Sequence, residues 1–280
     1  MLPSLLISSK VDDFSEFFLY YREYTSKWGD DRLLEKPVAI QLYTLRNEPF
    51  QDFAALLSTV AQIGFTGVEF AEYWGEDAHQ TRRILDKNGL RTTGSHVPFE
   101  MLETRLEAVI ADQHILGSSH ITCPILPEQY LRSIDDYKHG AEQLNRFGKR
   151  CKDAGITFSY HHHDFELRPL DRQIPLDVIF TETNSEYVQV ELDVYWLQKA
   201  GEDPLDWLKK YADRTPLVHV KDMDASGQFA PLGTGGVDVA DILVFGEKQL
   251  DRLDWWIFEQ DESTNALHDA KRSLQYLYTL

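Results

Sequence analysis

Four hydrophobic, strand-like runs in the second half of the chain end in side chains that bind metals. Ile156-Thr157-Phe158-Ser159-Tyr160 leads into His161-His162-His163, and Val188-Gln189-Val190-Glu191-Leu192 into Asp193. Pro216-Leu217-Val218 leads into His219, and Trp255-Trp256-Ile257-Phe258 into Glu259. Imidazole and carboxylate donors together suit a divalent cation. Side chains alternate along a strand. If Asp193 faces inward, so do Glu191 and Tyr195. His219 brings Lys221 to its face, and Glu259 brings Asp261. His161 brings His163 and turns His162 to the opposite side. Four inward ionisable groups would carry a large desolvation cost, which a bound cation would offset. This reading predicts a metal centre of His161, Asp193, His219 and Glu259, with Lys221, Asp261 and His163 in a layer above.

The elements that must carry these residues follow a strand–loop–helix rhythm from Pro37 onward. Strands are predicted near 38–44, 67–71, 91–96, 120–125, 156–162, 188–194, 216–221 and 255–260. Helices are predicted near 51–63, 78–88, 100–115, 135–154, 175–183, 203–211, 238–247 and 266–278. Gly64, Gly89, Gly117 and Gly155 each follow a helical pattern, where a left-handed cap is wanted. Eight such units at roughly 30-residue spacing predict an α/β fold, a (β/α)8 TIM barrel whose strand ends form the mouth. An open doubly wound sheet is the rival, weakened because no Gly-x-Gly-x-x-Gly follows the first strand. Residues 1–36 form a short N-terminal extension with one amphipathic helical stretch around Asp12–Tyr21, and residues 37–280 form the barrel.

Composition bounds the partners. The 280 residues suit one large domain, and the 42% hydrophobic share can build a core. A net charge of −18 opposes binding to phosphate backbones and anionic membranes. No apolar run approaches the ~18 residues of a membrane span. Met1 to Lys10 lacks a basic start and a cleavage site, so no signal peptide is predicted. The two cysteines, Cys123 and Cys151, require no disulfide, and a cytoplasmic setting is the expectation.

Further stretches complete a recognisable set: Gln41-Leu42-Tyr43-Thr44-Leu45-Arg46, Gly67-Val68-Glu69-Phe70, Gly94-Ser95-His96-Val97, Tyr160-His161-His162-His163-Asp164-Phe165-Glu166, Glu191-Leu192-Asp193-Val194-Tyr195-Trp196, His219-Val220-Lys221-Asp222-Met223 and Glu259-Gln260-Asp261-Glu262. From Val38 to Leu280 the chain resembles the xylose-isomerase-like TIM barrels known as sugar phosphate isomerases/epimerases. The resemblance implies a Mn, Mg, Co or Zn ion on His161, Asp193, His219 and Glu259. It implies a divalent-metal-dependent isomerase or epimerase acting on a keto-sugar through an enediolate. Glu259 is the implied base, and Lys221 the group that stabilises the oxyanion or donates a proton. Glu69 and His96 would hold the far hydroxyls. Glu166, His163, Trp196 and Tyr43 are the other expected substrate contacts, within an aromatic set that includes Tyr73, Trp74 and Tyr195. Many relatives carry Glu where this chain has His161, which weakens a symmetric two-carboxylate epimerisation. A lyase or dehydratase acting on a keto-sugar, keto-glycoside or inosose is the alternative. A non-catalytic sugar-binding barrel is a third reading, opposed by the complete set of ligands. The family's DNA-repair endonucleases need a basic face that this chain lacks. Barrels of this type commonly form dimers or tetramers, so a homo-oligomer is expected.

The loop Phe229 to Asp238 is read as a tight turn, with a phosphate cradle built on Gly233, Gly235 and Gly236 as the rival. Trp255 and Trp256, at the start of the eighth strand, are expected in the core without a ligand role.

Overall fold

A computed structural model describes residues 33–71 and 77–280. Most of the 1–36 extension, together with Tyr73 and Trp74, lies outside the described residues. The barrel strands are β1 (Val38–Gln41), β2 (Gly67–Phe70), β3 (Arg91–Ser95), β4 (His120–Cys123), β5 (Thr157–His161), β6 (Gln189–Asp193), β7 (Leu217–Val220) and β8 (Trp255–Phe258). The intervening helices are α1 (Phe53–Ile63), α2 (Ala78–Asn88), α3 (Phe99–Leu116), α4 (Ile134–Asp153), α5 (Pro175–Glu182), α6 (Val194–Lys199), α7 (Pro204–Lys210), α8 (Val239–Gln249) and α9 (Ala266–Thr279). All seven pairings within the sheet are parallel, in the order β3-β2-β1-β8-β7-β6-β5-β4. The ends of that order meet at a parallel bridge between His96 and Thr122, where the Val97 N–H donates to the Thr122 carbonyl at 2.8 Å. The sheet thereby closes into the predicted (β/α)8 barrel.

Local sequence explains the helix boundaries. Asp52, Asp77, Ser133 and Asp238 each accept a backbone N–H from the first turn that follows them. Gly64 ends α1 with φ 111°, a conformation that costs other residues energy. The short helix α6 was not anticipated. Asp193 creates it, since its Oδ1 accepts the N–H groups of Tyr195 and Trp196 at 2.9 and 3.1 Å. Tyr195 therefore leaves the strand alternation that the sequence reading gave it. Its hydroxyl donates to the Gly227 carbonyl at 3.0 Å, and its ring stacks on Phe229 at 4.1 Å.

The base of the barrel is filled by Ala39, Leu217, Trp255 and Ile257. Trp255 is the plug: a Cβ at Gly67 would stand 2.7 Å from its ring, and Arg91 covers it at 4.4 Å. Trp256 faces the other way, against Gly246 of α8, and its indole N–H donates to Glu247 at 2.8 Å. Both tryptophans are core residues. Between strands and helices lies the second apolar layer, which includes Ile40, Val68, Ile121, Phe158, Val190, Val218 and Phe258. Among the described residues, no helix is long and apolar enough to cross a membrane.

Close packing of α4 against the β6 side rests on a glycine, since a Cβ at Gly148 would collide with the Tyr187 carbonyl. Backbone cannot yield as a flexible side chain can. Gly148→Ala should therefore cost about 2 kcal/mol and lower the thermal midpoint by several degrees. An unchanged midpoint in a melting experiment would contradict this packing.

Candidate active site

Strand register sets the height of each side chain at the mouth. Asp193 pairs with His219, and His219 with Ile257, so Glu259 stands one pleat above His219, beside Lys221. His161 pairs with Glu191 rather than Asp193, which puts it one pleat lower. The predicted ligands therefore separate. Asp193, His219 and Glu259 bring ligand atoms within 4.8 Å of one another, whereas His161 converges with His96, Glu191 and His219. His161 Nε2 still lies 3.9 Å from Asp193 Oδ2.

Lys221 stands in the upper layer, only 2% exposed. Its ammonium is 3.0 Å from Asp193 Oδ2, 2.7 Å from Glu259 Oε2 and 2.9 Å from Asp261 Oδ1. Burial alone would lower its pKa, but Asp193, Asp261 and Glu259 hold it well above the ordinary lysine value. Burial would raise the Glu259 carboxyl, yet Lys221 and His219 outweigh it and keep the group below the usual carboxylate range. Asp261 is pushed up to about 6 by burial, which Lys221 only partly offsets. The layer thus holds an ionised carboxylate against a charged ammonium, an arrangement able to pass a proton between two groups.

A lower layer lies directly beneath. His219 Nε2 is 2.5 Å from Glu191 Oε1 and 2.8 Å from Glu69 Oε2, while its Nδ1 is 2.8 Å from Glu259 Oε2. Gln41 donates to Glu69 Oε2 at 2.7 Å, and His96 lies 3.1 Å from Glu191 Oε1. Burial opposes charge on His219, but Glu191 and Glu69 raise its pKa well above the ordinary histidine value. Burial, reinforced by the charges of His219 and His96, lowers His161 well below it, leaving a neutral imidazole suited to a metal. Its Nδ1 is buried without a hydrogen-bond partner. An orphaned neutral imidazole beside two carboxylates and a second histidine fits a divalent cation.

The other expected contacts divide. His163 and Trp196 meet at 5.3 Å between ring centroids, and the Trp196 ring lies 5.5 Å from the Lys221 ammonium. His163 Nδ1 and Trp196 Nε1 are both buried and unpartnered, so they are available to a hydroxylated ligand. Tyr43 is at the rim, 43% exposed, with Arg46 over its ring at 3.8 Å. His96 is 8% exposed and belongs to the lower layer. Two expectations need correction. Glu69 is wholly buried beside His219 and Gln41, so it supports the site instead of reaching for far hydroxyls. Glu166 is equally buried, and its oxygens accept the Tyr160 hydroxyl at 2.5 Å and the His163 N–H at 2.7 Å. Tyr160 packs edge-on against Phe180 of α5, so this carboxyl sits behind the barrel wall. His162 also takes the predicted wall position, and its Nε2 accepts the Asp193 N–H at 3.1 Å. Gln41 and Glu191 were missing from the expected set, although strand alternation from Asp193 already turned Glu191 inward.

The glycine loop is a turn. Asp222 takes the N–H groups of Gly235 and Val237 at 2.8 and 3.0 Å, so a carboxylate occupies the donors that a phosphate would need.

The sequence profile of the xylose isomerase-like TIM barrel family matches residues 57–280. The chain belongs to that family. It is 25% identical over 270 residues to an inosose dehydratase of Clostridium beijerinckii, covering 80% of this chain and 88% of the relative. It is 27% identical over 267 residues to an inosose dehydratase of Lacticaseibacillus casei, with coverages of 80% and 88%. Its fold is similar to the crystal structure of a sugar phosphate isomerase/epimerase from Parabacteroides distasonis. That match has a TM-score of 0.73 and 23% identity, covering 87% of this chain and 93% of the other.

Burial pushes the Glu166 carboxyl up from 4.5 to about 8. A raised acid favours the fold while protonated, so its contribution is complete below 4.5 and is lost as pH rises through 8. Glu166→Gln should flatten that part of the stability profile, gaining on the parent chain as pH rises. Urea unfolding at several pH values checks this; parallel profiles would show that Glu166 is not held protonated.

Proposed function

We propose that this barrel is a divalent-metal-dependent lyase that removes water from a keto-polyol or keto-sugar through an enediolate. The observation that carries the reading is the Glu259–Lys221 contact of 2.7 Å at the top of the site, because it joins a base to an acid. Asp193, His219 and Glu259, with His161 beneath, would hold the cation. When bound, it supplies Lewis acidity that polarises the carbonyl and acidifies the neighbouring C–H.

The proton bookkeeping closes within the chain. The Glu259 carboxylate takes the proton from the carbon beside the carbonyl. The electron pair moves into the enediolate, which the Lys221 ammonium stabilises. Collapse of the enediolate re-forms the carbonyl and expels the β-hydroxyl, which takes a proton from Lys221 and leaves as water. Glu259 then returns its proton to Lys221 across their contact, restoring both groups. His163 and Trp196 orient the substrate hydroxyls through their free ring nitrogens, and Tyr43 lines the entrance.

Elimination is preferred over epimerisation for two reasons. Epimerisation needs a second group to return the proton on the opposite face, and the fifth strand offers His161 there instead of a carboxylate. Glu69 and Glu191, the other carboxylates of the mouth, are buried in the lower layer. The inosose dehydratases support the same outcome by their likeness over most of the barrel.

Exhaustive chelation should abolish turnover of an inosose or keto-sugar, and Mn²⁺ or Co²⁺ should restore it; full turnover by metal-stripped protein would refute the cation's role. In heavy water, Glu259→Gln should slow deuterium exchange beside the carbonyl by about 10²- to 10⁴-fold. Lys221→Met should retain part of that exchange and lose water elimination. NMR of the products separates the outcomes: an epimer in place of a dehydrated ketone would overturn the lyase reading.

A further inference from the structure

The two ring nitrogens of His219 meet different surroundings. Nδ1 faces the upper layer, 2.8 Å from Glu259 Oε2 and 4.0 Å from Asp193 Oδ2. Nε2 faces the lower layer, 2.8 Å from Glu69 Oε2 and 2.5 Å from Glu191 Oε1. An ionised carboxylate only accepts hydrogen bonds, so the nitrogen turned towards this pair must carry hydrogen.

The lower layer is itself fixed. Gln41 Oε1 accepts the Tyr43 N–H at 3.1 Å, which turns its amide nitrogen towards Glu69 Oε2 at 2.7 Å. His96 Nε2 lies 3.1 Å from Glu191 Oε1 and 3.3 Å from Glu69 Oε2. The His96 ring stacks on His219 with centroids 5.3 Å apart and planes 12° from parallel. Glu69, Glu191, Gln41 and His219 are fully buried, so none of them swings into solvent. Glu69 and Glu191 also fall outside the converging set of Asp193, His219 and Glu259.

We propose that Glu69 and Glu191 are positioning residues that hold the hydrogen of His219 on Nε2 and so assign Nδ1 as the atom that binds the cation. The ring cannot then turn over to offer Nε2, and its basicity rises through the charge behind it. The assignment of Nδ1 to a cation rests on the metal-dependent reading above. The hydrogen on Nε2 does not.

The test uses the whole chain labelled with ¹⁵N-histidine, metal-free and loaded with ¹¹³Cd²⁺, together with calorimetry of Cd²⁺ binding. The expected spectrum shows a hydrogen on His219 Nε2 in both states and cadmium coupling to Nδ1. Glu69→Gln and Glu191→Gln should each weaken Cd²⁺ binding by about 10- to 100-fold. Cadmium coupled to Nε2, or affinities within twofold of the parent in both variants, would overturn the proposal. If the parent chain binds no divalent cation, the metal-dependent reading fails with the Nδ1 assignment. The Nε2 hydrogen of the metal-free protein still decides the clamp on its own. Should the variants fail to fold, the coupling pattern of the parent chain decides.

Discussion

A lysine ammonium buried among three carboxylates is the constraint to which the barrel mouth answers. Lys221 approaches Asp193, Glu259 and Asp261 within 3.0 Å. Ions removed from water are tolerated only when their partners are close and well oriented. That requirement ties the ends of β6, β7 and β8 together. Asp193 meets it twice, since its other oxygen starts α6 and thereby places Trp196 over the ammonium. Charge balance and aromatic placement are thus two consequences of one aspartate.

Below this layer the same rule recurs with the signs redistributed. His219 is the cation there, and Glu69 and Glu191 are its counterions. A barrel interior is ordinarily filled by branched aliphatic side chains in layers. Here the apolar filling stops at Ala39, Leu217, Trp255 and Ile257, and two polar layers lie above it. The upper layer holds the groups suited to chemistry, and the lower one holds them in place.

Much of this was legible in the sequence. The eight strands and the helix boundaries follow from apolar runs, Asp and Ser caps, and glycines after helices. Asp193, His219, Glu259 and Lys221 stood out because side chains alternate and each follows an apolar run. Depth was not legible. Alternation says which face a residue takes, but height along the barrel axis depends on strand stagger, which only the register reveals. Hence His161 proved one pleat lower than its strand-end position suggested, and Glu69 proved a support for His219. Glu166 was misplaced for another reason: it lies beyond its strand, where a 3₁₀ turn returns it behind the wall to Tyr160. The change of direction at Tyr195 came from a helix cap, which the strand pattern had concealed.

The seam that closes the barrel runs through His96 and Thr122. His96 is also a member of the lower polar layer, so its backbone latches the sheet while its ring packs against His219. An open sheet would hold these side chains apart. The arrangement that gives His219 its orientation therefore exists only once the circle is complete. Damage to the latch should be felt as a loss of site geometry before it is felt as a loss of the strands themselves.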